Sequence, residues 1–116
     1  MHRCGVVPHA YRPPVGVTHP ALRPLLREME LYAVNFSCRG HDRGNWRIEG
    51  LAARILRRVR PGDIIAMHDI RPGKGQPVDR WIREVEKVLE GLDRKGLEIV
   101  PLERFTGRPV MTIVDA

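Results

Sequence analysis

Short apolar runs alternate with amphipathic helical stripes along most of this 116-residue chain. The run at residues 63–67 has the length of a buried strand, and it follows the turn-forming pair Pro61-Gly62. The stripe over residues 77–95 carries apolar side chains at helical spacing and predicts a long helix that Gly96 ends. Such alternation is typical of parallel strands with covering helices. The chain is therefore predicted to have an α/β fold.

The remaining segments continue the same alternation. Further helices are predicted over residues 21–29 and 48–59, and further strands over residues 31–37 and 97–102. Residues 1–20 are rich in proline and are predicted to be an extended leading segment, while residues 103–116 are an unassigned tail. The predicted helices cover one face of a sheet better than both, although parallel sheets normally have both faces covered. Residues 1–116 are therefore predicted to form a single partial domain.

The charge and hydropathy of the chain limit its partners. Lys and Arg number 20 against 14 Asp and Glu, so the net charge is +6 and anionic partners are favoured. The arginines are scattered over predicted helix faces, which argues against nucleic-acid binding but leaves a basic nucleic-acid-binding protein as an alternative. No apolar run approaches the roughly 18 residues of a membrane span. No secretion signal is recognisable after Met1, so a cytoplasmic location is the default expectation.

Polar residues follow the predicted strands. His68 comes directly after residues 63–67, Asp42 lies a few residues beyond residues 31–37, and Arg12 opens an Arg-Pro-Pro-Val-Gly segment. The carboxyl ends of parallel strands meet at one edge of a sheet, where α/β proteins bind their ligands. Histidine gives or takes a proton near neutral pH. The sequence therefore predicts an enzyme site at this edge, with His68 as a proton-handling group.

These three segments together resemble consecutive motifs of the NodB-homology polysaccharide deacetylases, which form carbohydrate esterase family four. The Arg-Pro-Pro-Val-Gly segment that starts at Arg12 resembles the third motif, Asp42 the aspartate of the fourth, and His68 the histidine of the fifth. The resemblance implies a distorted (β/α) barrel, of which this chain would form a partial barrel from the carboxyl-terminal half. It also implies a hydrolase that removes acetyl groups from N-acetylated polysaccharides or oligosaccharides.

The resemblance further implies roles for single residues. His68 would be the general acid that protonates the leaving amine, and Asp42 would pair with it and favour its protonated form. Arg12 would hold the catalytic-base aspartate in place, and the backbone N–H near Val15 would help to stabilise the oxyanion. The positions implied to contact the substrate are Pro14, Val15 and Ala66.

The chain departs from the family pattern most clearly at the metal site. Family members bind a divalent, zinc-type metal through an aspartate and two histidines, in Thr-Phe-Asp-Asp and His-x-x-x-His segments upstream of the arginine motif. Neither segment occurs in these 116 residues, and Cys4 and Cys38 have no metal-ligand spacing. Arg43 stands where the family has tryptophan, and Ala66 where it usually has leucine. The chain alone is therefore expected to bind no metal and to be inactive, as a truncated or vestigial deacetylase.

Two other classes of function stay open from the sequence. The first is a non-catalytic carbohydrate-binding or assembly module, in which open sheet edges pair with a second copy of the chain to form a homodimer. The second is the basic nucleic-acid-binding protein that the net charge of +6 suggests. An HD-type metal phosphohydrolase is also suggested, by the dipeptides His41-Asp42 and His68-Asp69. That class is built on helices, whereas both dipeptides follow strand-like runs, so the sequence argues against it.

Overall fold

The computed structural model describes residues 5–73, 75 and 77–114. By its internal packing the chain forms two compact units. Residues 36–99 make up the central unit, and the segments before and after them make up the flanking unit. Among the described residues, no helix has both the length and the apolar character that crossing a membrane requires.

The elements are short apart from one helix. The helices are α1 (Leu22–Glu28), α2 (Leu51–Leu56), α3 (Val78–Arg94) and α4 (Leu102–Thr106). The strands are β1 (Val6–Pro8), β2 (Ala10–Tyr11), β3 (Tyr32–Ala33), β4 (Cys38–Arg39), β5 (Ile65–Ala66) and β6 (Met111–Ile113). A 3₁₀ turn lies at Pro14–Gly16.

Among the described residues, the flanking unit contains two strand pairs and two short helices, α1 and α4. β1 pairs antiparallel with β6, and β2 pairs parallel with β3. On α1 the side chain of Leu26 is buried, and the segment after β3 buries Val34. The proline-rich start of the chain is thus extended where it is described, and the unassigned tail contributes β6 and most of α4.

In the central unit, β4 and β5 pair in parallel beneath α2 and α3. Cys38 lies opposite Ile65 in this pairing. The buried core consists of Cys38, Leu51, Ala52, Ile55, Val88 and Leu92. α2 and α3 approach closely because Gly91 has no side chain: a Cβ atom there would lie 2.2 Å from Cδ1 of Leu56.

α3 turns a partly polar face towards α2. Glu84 and Val88 are buried on this face, whereas Ile82 and Leu89 of the same apolar stripe are 44% and 49% exposed. Glu84 is accommodated because its Oε2 accepts a hydrogen bond from the Ala52 N–H at 2.9 Å, and its Oε1 accepts one from Lys87 Nζ at 2.8 Å. A carboxylate at the first turn of α2 also suits the helix dipole.

The predicted α/β class is confirmed as a mixed fold with short parallel strand pairs. The finer predictions were partly wrong. Within the strand expected over residues 31–37 only β3 forms, and β4 begins just beyond it at Cys38. The backbone changes its partner between the two, because the Val34 N–H donates to the Tyr11 carbonyl whereas the Ser37 N–H donates to the Ile64 carbonyl. Among the described residues the strands form three separate pairs, and no closed barrel is seen.

The strand predicted over residues 97–102 was also wrong. Residues 97–101 belong to no strand, and α4 begins directly after Pro101. Apolar residues with high β-propensity form a strand only where a neighbouring strand accepts their hydrogen bonds. Proline also has no N–H to donate to a ladder and is favoured at the start of a helix.

The Glu84 contacts predict how stability depends on pH. Burial disfavours the charged carboxylate, but the hydrogen bonds from Lys87 and Ala52 outweigh it, so the pKa of Glu84 lies below its ordinary value of 4.5. We expect Glu84→Gln to lower the free energy of unfolding by about 1.5–3 kcal/mol near neutral pH. The contribution is present above the unfolded pKa and is lost as the pH falls through the lower folded pKa, so the two proteins should converge in acid.

Urea unfolding near neutral pH and in acid measures the difference in unfolding free energy between the wild type and Glu84→Gln. Glu90→Gln is the matched control on the same helix. Glu90 is exposed, and its Oε2 lies 3.5 Å from Nη1 of Arg94. Because exposed ion pairs contribute little, replacing Glu90 should change the free energy of unfolding by less than about 1 kcal/mol. A Glu84→Gln variant as stable as the wild type near neutral pH would contradict the assignment.

Candidate functional site

Asp42 and His68 form a hydrogen-bonded pair beyond the ends of the β4–β5 pair. Asp42 follows β4 and His68 follows β5, so the parallel pairing brings both to the same edge. Oδ1 of Asp42 lies 2.6 Å from Nδ1 of His68, and Oδ2 accepts the His68 backbone N–H at 3.2 Å. One carboxylate therefore holds both the ring and the backbone of the histidine.

The two side chains differ in their access to solvent. The Asp42 side chain is 5% exposed, whereas that of His68 is 52% exposed. An ionised carboxylate only accepts hydrogen bonds, so the proton between them belongs to Nδ1 of the imidazole. Nε2 is then the nitrogen that His68 offers to another molecule. This arrangement suits a group that donates or accepts a proton at Nε2 while a buried carboxylate orients the ring.

The loop that carries Asp42 has an unusual backbone. His41, Arg43 and Asn45 all have positive φ angles, of 51°, 52° and 66°. Residues other than glycine rarely adopt this conformation, and it persists where the surroundings over-determine it. Asn45 is fully buried, and its Nδ2 donates to the carbonyl of His68 at 3.2 Å and to that of Ile70. The amide side chain thus ties this loop to the segment after β5.

Arg54 on α2 holds the same loop from the other side. Its guanidinium donates to three backbone carbonyls, those of Gly40 at 2.7 Å, Arg47 at 2.6 Å and Glu49 at 2.6 Å. The planar fork of an arginine can satisfy several acceptors at once, which a lysine ammonium at the end of a flexible chain does less well. The loop therefore has a fixed position relative to the helix beneath it.

Sequence reasoning missed the roles of Asn45 and Arg54. The Gly44-Asn45 pair carried a signal, because both residue types tolerate left-handed backbone in turns. Arg54 carried none, since it was one of many arginines on predicted helix faces. Hydrogen bonds to backbone carbonyls have no counterpart in the sequence that would reveal them.

His41 differs from His68 although it also follows a strand of this pair. Desolvation and the neighbouring positive charges of Arg39 and Arg58 lower the pKa of His41 below its ordinary value of 6.5. A cation-rich surrounding disfavours a second positive charge, so His41 is a poor proton donor at neutral pH. The histidine that the structure pairs with a carboxylate is His68.

The other predicted site residues lie in two places. Ala66 is half-buried in β5, two residues before His68 and opposite Arg39. Arg12 belongs to the flanking unit, where its Nε donates to the Val34 carbonyl at 3.3 Å. The roles assigned to these residues from the sequence stay predictions.

Pro14 and Val15 form a turn in the flanking unit. Val15 is 80% exposed and has a φ of 50°, a strained conformation for a β-branched residue. Asn35 supports the turn, because its Nδ2 donates to the Gly16 carbonyl at 2.9 Å. The amides of Gly16 and Val17 donate back to the carbonyls of Pro13 and Pro14, within the turn itself.

The residues that the structure describes do not fit a metal ion. Among them, no three His, Cys, Asp or Glu side chains lie close enough together to hold one. Cys38 is buried, and burial and the nearby Asp63 raise the pKa of its thiol, which makes it a poor ligand. Cys4 lies outside the described residues. The Asp-His-His metal set implied by the resemblance is not formed here.

The tautomer of His68 is a testable consequence of the pair. In the wild type, neutral His68 should carry its proton on Nδ1, and Asp42→Ala should move most of it to Nε2, because the buried acceptor is gone. Long-range ¹H–¹⁵N NMR of the imidazoles distinguishes the two forms. His19 is an internal control: its Nδ1 accepts the Ala21 N–H at 3.2 Å, so its proton lies on Nε2 in both proteins. A wild-type His68 protonated on Nε2 would contradict the geometry.

Comparison with known proteins identifies the fold. No protein-family model matches the sequence, and no curated protein matches it either. A family 4 carbohydrate esterase from Streptomyces lividans, solved in complex with acetate, is similar to this chain with a TM-score of 0.65 and 24% sequence identity. The match covers 93% of this chain and 51% of the esterase. The resemblance inferred from the three sequence segments is therefore confirmed at the level of fold, and the chain has the fold of about half of a family 4 carbohydrate esterase.

Proposed function

We propose that this chain provides the proton-donating part of a deacetylase site for N-acetylated amino-sugar polymers. The observation that carries the proposal is the Asp42–His68 pair, a buried carboxylate 2.6 Å from a half-exposed imidazole at a strand edge. The esterase-like fold supports the reaction class and the acetylated carbohydrate as substrate. The chain spans about half the length of that esterase, so the structural match does not by itself show a deacetylase reaction, and the reaction is part of the proposal.

His68 has a defined task in the hydrolysis of an acetamide. After water has added to the carbonyl carbon, the tetrahedral intermediate breaks its carbon–nitrogen bond and releases an amine, which needs a proton. The imidazolium of His68 gives its Nε2 proton to that nitrogen and is left as the neutral ring with its proton on Nδ1. The buried Asp42 carboxylate stabilises the imidazolium before the transfer and keeps Nε2 directed outward afterwards. The exposed ring regains its proton from solvent.

Further roles rest on the family resemblance. Arg12 would hold a base carboxylate, and the Val34 carbonyl that binds its Nε fixes the start of the guanidinium. The Val15 backbone N–H would stabilise the oxyanion, and its strained, exposed turn supports this, since such strain concentrates at functional sites. Pro14 and Ala66 would contact the sugar and the acetyl methyl group. Both units, over residues 1–116, would belong to one partial domain.

Activation of water is not assigned to this chain. The described residues do not fit a metal, and the sequence has no Thr-Phe-Asp-Asp or His-x-x-x-His segment, so the metal ligands and the base carboxylate would come from residues other than those described. We therefore expect the chain alone to bind the acetylated substrate without turning it over.

A carbohydrate-binding or assembly module is a second candidate. It is favoured by the open edge of β6, where Met111 and Ile113 are 56% and 77% exposed in a two-stranded sheet. Exposed strand edges pair readily with other strands, including those of a second copy. In this case the Asp42–His68 pair would serve structure, and carbohydrate binding would not involve His68.

Titration with chitin oligomers separates the two candidates. The deacetylase proposal predicts NMR shift changes at His68 Nε2 and in the loop around Asp42, with the His19 ring unaffected as an internal control. A glucosamine oligomer without acetyl groups should bind about tenfold more weakly or worse, because it lacks the acetyl methyl group that the proposed site contacts. Absence of binding, or shifts confined to β1 and β6, would overturn the proposal.

A further inference from the structure

The long helix α3 carries a coiled-coil type of apolar seam. Its members recur at alternating intervals of four and three residues: Val78, Ile82, Val85, Leu89 and Leu92. This spacing is the heptad repeat by which one helix packs along another. Only Leu92 at the end of the seam is buried, whereas Ile82 and Leu89 in its middle are 44% and 49% exposed. The seam therefore has the sequence of a helix–helix interface, and the described residues leave its middle about half exposed.

The seam is flanked differently on its two sides. On one side Glu84 and Val88 are buried against α2. On the other side run three acidic residues at intervals of seven, Asp79, Glu86 and Asp93, all exposed. In the heptad these acidic residues occupy the e position, directly beside the apolar seam. Side chains at e face the e or g positions of a partner helix, so they favour a partner with the opposite charge there.

We propose that this seam docks a basic amphipathic helix from residues outside the described chain. Apolar side chains of that helix would cover Ile82 and Leu89, and its lysines or arginines would lie opposite the acidic row. The match covers 51% of the esterase, and residues corresponding to its unmatched half are one source of such a helix. The inference rests on α3 alone and does not depend on the proposed enzymatic activity.

The charge pattern argues against a second copy of α3 as the partner. An antiparallel pair of these helices would place the two acidic rows against each other, and like charges at these positions disfavour pairing. A parallel pair would place each acidic row opposite Trp81 and Val88 of the other copy, and Val88 is already packed against α2. Neither arrangement gives the row a partner of opposite charge.

Two synthetic three-heptad peptides test the proposal against the complete 116-residue chain. Both carry the same isoleucine and leucine seam, but one has lysine and the other glutamate at the flanking positions. We expect the lysine peptide to bind at least about tenfold more tightly in calorimetry at low salt, and its advantage to shrink as salt is added. The triple variant Asp79→Lys, Glu86→Lys, Asp93→Lys should reverse the preference.

Matched variants distinguish binding at the seam from non-specific hydrophobic binding. Ile82→Ser with Leu89→Ser should abolish binding of the lysine peptide, whereas Ile99→Ser, at a residue 62% exposed outside α3, should leave it unchanged. Should the triple variant not fold, as judged by circular dichroism, the single Glu86→Lys variant should still reduce the preference. Equal binding of both peptides, binding of neither, or a dimer that Ile82→Ser dissociates would overturn the proposal.

Discussion

The parallel pairing of β4 with β5 is the constraint on which the candidate site depends. Cys38 opposite Ile65 sets the register, and from there the chain reaches Asp42 on one side and His68 on the other. A slip of one residue would turn the side chains of a strand to the opposite face and separate the pair. Two short strands do not hold a register by themselves. The core formed by Leu51, Ile55, Val88 and Leu92 of α2 and α3 holds it in place.

The buried carboxylate of Asp42 explains much of the surrounding loop. A buried anion without partners is costly, and here the ring and the backbone N–H of His68 compensate for the lost water. The loop bends through several left-handed residues to place this carboxylate, and such backbone costs roughly 1–3 kcal/mol per residue. Arg54 holds the bend through hydrogen bonds to carbonyls before and after it, and Asn45 ties the bend to the carbonyls of His68 and Ile70. The half-exposed imidazole of His68 is thus held by a hydrogen-bonded loop.

Strong periodicity made some of this predictable from the sequence. The long helix was expected over residues 77–95 and lies at Val78–Arg94, because apolar spacing over many residues has few alternatives. The pairing of Asp42 with His68 was expected from the family resemblance, and the position of both after predicted strands indicated only a common edge of the sheet. Pairing between distant segments was not predictable. β6 pairs with β1 although almost the whole sequence separates them, and no local sequence feature marks β6 as the partner of β1. The burial of Glu84 in place of Ile82 depended on how α3 rotates against α2, which the width of its apolar stripe left open.

Release of acetate from chitin oligomers by the purified chain, with and without added zinc, tests the central claim most directly. If these residues supply the proton donor and other residues activate the water, acetate release should not exceed that of a His68→Gln variant under either condition. Zinc-stimulated release that His68→Gln abolishes would contradict this account, because it would place a complete deacetylase site within these 116 residues.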